Sequence, residues 1–147
     1  MVKTFSVVQG GPYRLAVDRD HLVKVYPERN DSVEILADWQ VFRKEQGDGA
    51  ADSVLYDLKE VFSHHQERSE GPGCLVILAE RETVVGIIVE VLESSHELTD
   101  DQLQPLPPPF PEACRRFFPR LAICGKQAVP VLTIAVLQAI ATSGKRS

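Results

Sequence analysis

Short apolar runs broken by glycine, proline and charge dominate the sequence, and most alternate with the two-residue period of a β-strand. Thr4 to Val8 and Tyr13 to Val17 are two such runs, separated by Gly10-Gly11-Pro12. Glycine supplies the positive φ that a tight hairpin needs, so the pair predicts a first β-hairpin. His21 to Tyr26, rich in valine and closed by Pro27, is a third extended piece. Asn30-Asp31-Ser32 reads as a turn, and Ser32 to Phe42, with the single tryptophan Trp39, suits either a short helix or an irregular strand. Gly47-Asp48-Gly49 marks a loop. Ser53 to Leu58 then resumes strand character, and Leu58 to Phe62 finishes as a helical turn.

Ser63 to Gly73 has little to bury and reads as an exposed linker or long hairpin loop. Cys74 to Ala79 and Thr83 to Leu92, joined at Glu80-Arg81, give the clearest strand signal. Val84 to Val89 is nearly continuous in β-branched residues, which fits a strand buried on both faces, and Gly86 within it predicts a bend or a close approach of backbone. Thr99 with Asp100-Asp101 predicts a capped helical turn. Pro105 to Pro111, with five prolines in seven residues, must be extended. It suits either docking into a partner's aromatic groove or a stiff crossover, and its place between strand-rich parts favours the crossover. Phe117 to Cys124, Val129 to Ile134 and a helical Ala135 to Ala141 complete the pattern. Many short strands with frequent turns predict a barrel or a sandwich.

At 147 residues the chain suits one domain or two very small ones packed together, and 25% charged residues with 44% hydrophobic ones are ordinary for a globular protein. A net charge of −5 argues against nucleic acid, whose phosphates need Lys and Arg, and weakly against an anionic membrane surface. The longest apolar stretch, Ala128 to Ala141, is interrupted and too short to cross a bilayer. Three cysteines without regular spacing point to a reducing, cytoplasmic setting and a soluble chain.

Little catalytic chemistry stands out. His64-His65 is an adjacent pair in a polar loop with no further ligands at metal spacing. Cys114 beside Arg115-Arg116 has cations to lower its pKa but no evident base, while Cys74 and Cys124 sit in apolar runs as small hydrophobes. Asp100-Asp101 and Glu90 with Glu93 read as a cap and a wet strand end. Gly10-Gly11 and Gly47-Asp48-Gly49 lack the lysine and third glycine of phosphate loops. No cofactor is expected.

The order of the elements carries a resemblance. Val84-Val85-Gly86-Ile87-Ile88-Val89-Glu90-Val91-Leu92, followed by Leu98 to Pro107, resembles the second half of CheW, the coupling protein of bacterial chemosensory arrays. The first hairpin, His21 to Tyr26, Val54 to Phe62 and Leu121 to Leu132 are similar to further pieces of that family in the same order. The resemblance implies a mainly β, CheW-like fold over residues 1–147, with two small five-stranded SH3-like barrels as interleaved lobes. The loop 63–73 and the proline-rich crossover 105–111 would join its parts. It also implies a non-enzymatic adaptor at cytoplasmic receptor clusters. Its partners would be methyl-accepting chemoreceptors, with a CheA-type histidine kinase or other CheW-like proteins beside them. A groove for a receptor helical tip would have Leu22, Val23 and Val25 on one wall and Val89 and Leu92 on the other, although each also reads as plain barrel core.

Three departures matter. The family's N-L-R-G turn before the "VP..DL" strand is absent, leaving Arg43 as the nearest arginine; Arg43 and Tyr56 are the candidate kinase or partner contacts. Lys24 stands where the family has an acid, and Val91 where it has glycine. These features count against ordinary kinase coupling and place the chain with shortened accessory members, of the FrzB type. The alternative is a small-barrel module for RNA or a ligand, which the acidic balance and 7% aromatic residues leave poorly equipped. An enzyme using Cys114 ranks third.

Overall fold

The computed structural model describes residues 2–47, 53–62, 71–105, 120–124 and 127–144. Strands β1 (Lys3–Gly10) and β2 (Tyr13–Asp18) form the expected hairpin, paired from Phe5 with Asp18 to Gly10 with Tyr13. Gly11 turns it at φ +59°, and the following proline is restricted near −65°, the sign pattern of a type II′ turn. A 3₁₀ turn at Arg19–His21 leads into β3 (Leu22–Val25), so the predicted extended piece is shorter than His21 to Tyr26.

Ser32 onward is helix, and it runs past Phe42: α1 spans Ser32–Gln46. The Asp31 carboxylate caps it by accepting from the Glu34 N–H at 3.0 Å, and Gly47 ends it at φ +63°. Ile35, Asp38, Trp39 and Phe42 form its buried face at i, i+3, i+4, i+7 spacing. Strand β4 (Val54–Asp57) and helix α2 (Leu58–Phe62) follow as expected.

β5 (Cys74–Glu80) and β6 (Thr83–Val89) form the second hairpin, turned at Arg81 with φ +58°. The run expected to continue to Leu92 breaks at Glu90, whose N–H donates to the Gln9 carbonyl. From Val91 the chain joins a different sheet as β7 (Val91–Leu98), a strand the polar Glu93-Ser94-Ser95 stretch conceals. A 3₁₀ turn at Asp100–Gln102 follows, where the Gln102 Oε1 accepts from the Thr99 N–H at 2.8 Å. Then come β8 (Leu103–Pro105), β9 (Arg120–Cys124), β10 (Gln127–Pro130) and the closing helix α3 (Ile134–Gly144). Most of the predicted 63–73 loop and 105–111 crossover, and Cys114, lie outside the described residues.

The described strands divide six and four. Sheets β2-β1-β7 and β10-β9-β8 make one lobe, joined where Ala16 bridges Val131 and the Leu132 N–H donates to the Ala16 carbonyl. The second lobe is the sheet β3-β5-β6-β4, in which β4 runs parallel to β6. Strand alternation sorts its side chains cleanly. Leu75, Ile77 and Ile88 face α1, where they pack with Tyr26, Ile35, Trp39 and Phe42. Cys74, Val76, Leu78, Val85, Ile87 and Val89 face the other lobe, in one apolar cluster with Val8, Leu15, Val17, Leu58 and Leu137. Phe5, Val7, Ala16, Leu98, Ala122 and Val129 fill the first lobe itself.

Candidate functional site

β3 lies at the edge of its sheet, and its register with β5 explains what it displays. Leu22 pairs with Leu78, Lys24 with Ile77 and Val25 with Val76, so two steps along β3 match one along β5. The extra residue is Val23, a β-bulge, and a bulge re-aims the side chains around it. Paired residues share a face in an antiparallel sheet. Leu22 and Val25 therefore both lie on the face of Leu78 and Val76, toward the other lobe, although a regular strand would put residues three apart on opposite faces. Lys24 falls on the opposite face, its Nζ 4.6 Å from the Tyr26 ring centroid and 3.9 Å from the Glu45 carboxylate of α1.

Solvent access separates the groove candidates. Val23 is 59% exposed and Val25 39%, both large for valine in a strand. Leu22 and Leu92 are half-buried on the rim of the central cluster, Leu92 reaching it from β7 opposite Val8. Val89 is different: at 1% exposure it belongs to the interior of the central cluster and offers no surface to a partner. Leu22 and Leu92 thus lie at the margin of one apolar cluster, and the β3 register sets the exposed Val25 on the same face as Leu22, with Val23 exposed at the bulge. Tyr56, on the other edge strand β4, is half-buried against the same cluster, and burial pushes its hydroxyl pKa up. Arg43 sits half-buried on α1 near its last turn, away from Tyr56 in sequence and on a different element.

One feature is not legible in the sequence, because Ser32 to Phe42 suits either helix or strand there. Arg29 grips Asp38 through two parallel hydrogen bonds, Nε to Oδ2 at 2.8 Å and Nη2 to Oδ1 at 2.9 Å. The arginine backbone in turn pairs with Gly73, so this fork ties α1 to the end of the β3–β5 ladder. On the first lobe, Arg14 donates from Nε at 3.2 Å and from Nη2 at 2.6 Å to a single oxygen of Glu93, Oε2, across the β1 strand between them.

Burial raises the thiol pKa of both Cys74 and Cys124, so little thiolate forms near neutral pH. Among the described residues, no group of three or more His, Cys, Asp and Glu is placed to hold a metal ion, and no helix is long and apolar enough to cross a membrane.

Comparison with known proteins bears on the family and the fold. The family model of the CheW-like domain matches residues 54–141, more than half of the 147. No curated protein sequence matches the chain. The crystal structure of the scaffolding protein TtCheW from Thermoanaerobacter tengcongensis superposes with a TM-score of 0.63 at 14% identity, covering 93% of this chain and 92% of that one.

Proposed function

The chain belongs to the CheW-like domain family, and from that premise we propose that it is a non-enzymatic adaptor in a bacterial chemosensory array that binds the helical tips of chemoreceptors. The observation that carries this reading is the bulged edge strand β3. Its bulge sets Leu22 and Val25 on one face, toward the other lobe, with Val25 exposed and Leu22 half-buried at the rim of the central cluster that Leu92 also borders. An amphipathic helix needs a few apolar anchors and a polar rim, and helix-in-groove binding is built from such a margin. Val23 extends the apolar surface outward, whereas Val89 is core.

Receptor binding ranks ahead of kinase coupling in this proposal. Helix α1 stands in the stretch where the family carries its partner-contacting turn. Arg43 and Tyr56 are the contacts by which a CheA-type regulatory domain would be engaged, yet they lie on separate elements. The chain is accordingly read as an accessory member, of the FrzB type, working at cytoplasmic receptor clusters. A pulldown with a receptor's cytoplasmic hairpin fragment tests it. The Leu22→Asp, Val25→Asp double variant should lose at least about tenfold in affinity, since each anchor is worth roughly 1 kcal/mol or more. Full binding by a variant that keeps its circular dichroism spectrum removes the assignment.

A further inference from the structure

Helix α1 buries one face on the sheet and leaves an apolar stripe on the other. Val33 is 74% exposed, Val41 50% and Leu36 43%, with Ala37 exposed among them. At 3.6 residues per turn these positions fall together on the half of the helix opposite Ile35, Trp39 and Phe42. An amphipathic helix packed on one sheet has no need of such residues on its outer face, where helix-forming charged residues serve as well. The charges along this face are also sorted by end. Asp31 and Glu34 lie at the start, Arg43 and Lys44 in the last turn, and the one acid there, Glu45, is already close to Lys24.

We propose that two copies of this chain associate through the outer faces of α1, the helices antiparallel about a two-fold axis. The charge pattern selects that occupant and that direction. In an antiparallel pair the acidic start of each helix meets the basic end of the other twice, and the helix dipoles oppose favourably. A parallel pair would set acid on acid and base on base. With the axis near Trp39, Glu34 of each copy lies level with Lys44 of its mate, and Ala37 level with Val41. A small residue facing a larger one lets the helices approach closely. An interface made by one helix from each copy is expected to be reversible, with monomer and dimer exchanging as concentration changes. The inference stands apart from receptor binding, because it uses the opposite face of the sheet from Leu22 and Val25.

Sedimentation velocity on the full chain, from about 1 to 200 μM, tests the proposal. The expected result is a concentration-dependent monomer–dimer equilibrium, lost in a Leu36→Glu, Val41→Glu variant that remains folded. Glu34→Lys and Lys44→Glu should each weaken self-association at least about fivefold, since each sets two repelling pairs across the axis. An equimolar mixture of those two variants should recover it, because both cross-pairs are then opposite in charge. A monomer at every concentration overturns the proposal and leaves the stripe to a different protein. So does a dimer indifferent to residues 34 and 44, which would use another surface. Receptor pulldown on the same variants keeps the two readings apart, for a monomeric Leu36→Glu, Val41→Glu chain should still bind.

Discussion

Gly86 shows how much one missing side chain can decide. A Cβ built there would stand 2.6 Å from Cζ3 and 2.8 Å from Cε3 of the Trp39 ring, with Leu55 Cδ1 at 3.1 Å. The glycine lets the indole close onto β6, and Trp39 also stacks on Phe42 with centroids 5.7 Å apart. Gly86→Ala should therefore cost about 1–3 kcal/mol, measured by urea unfolding, because a well-packed ring must move. In a Trp39→Leu background the same substitution should cost much less, and additive costs would show that the ring is not the obstacle. The close approach at Gly86 was legible in the sequence, since glycine inside a β-branched run has few other uses. Its partner was not, because nothing in the residue order says which of the distant apolar side chains arrives. The anchors on β3 show the same limit. Leu22 and Val25 could be named from the family resemblance, but the bulge that puts them on one face is a fact of pairing with β5.

Among the elements, α1 and β7 were the hardest to read, for opposite reasons. The α1 sequence mixes two apolar faces, so its periodicity is blurred even though Asp31 and Gly47 mark both ends. β7 has the reverse problem: its ends are apolar, but its middle is polar and gains strand geometry only by pairing with β1. What fastens α1 is the Arg29–Asp38 fork as well as the apolar face. Asp38 is buried, so removing the arginine strands a carboxylate with no cation beside it. Arg29→Ala should lower Tm and raise amide exchange across Ser32–Gln46, with β1 and β7 unaffected. Lys24→Ala, which removes a 3.9 Å surface ion pair and a contact with the Tyr26 ring, serves as the control and should lower Tm less than Arg29→Ala. Equal effects from the two substitutions would mean that the fork adds nothing to docking.

At the scale of the whole molecule, the central cluster draws on both lobes and on α3. Leu137 is fully buried in it, and Leu137→Ala should cost about 2–5 kcal/mol. Because Leu137 touches neither lobe's private core, the loss should appear in both together. Trp39 fluorescence reports the second lobe and far-ultraviolet circular dichroism reports the whole, and their unfolding curves should coincide in the parent and the variant. Separate midpoints would show that the lobes are held apart energetically. The mainly β class, the hairpins and their order could be read from runs and turns alone. The division of strands between sheets could not, because β6 and β7 look like one strand until Glu90 is seen to bond to Gln9.

The route of the chain through the two lobes has a consequence during synthesis. The first lobe opens with β1 and β2, pauses while β3 to β6 are laid down, and is finished only by β7 to β10. Ala16 waits for Val131 and Leu132, so the earliest strands leave the ribosome long before their last neighbours exist. Such distant closures slow folding, and meanwhile the apolar edge of the first hairpin stands open to other chains. The middle lobe, by contrast, arrives as one uninterrupted stretch and is free to mature first, becoming the template on which the two flanking halves meet.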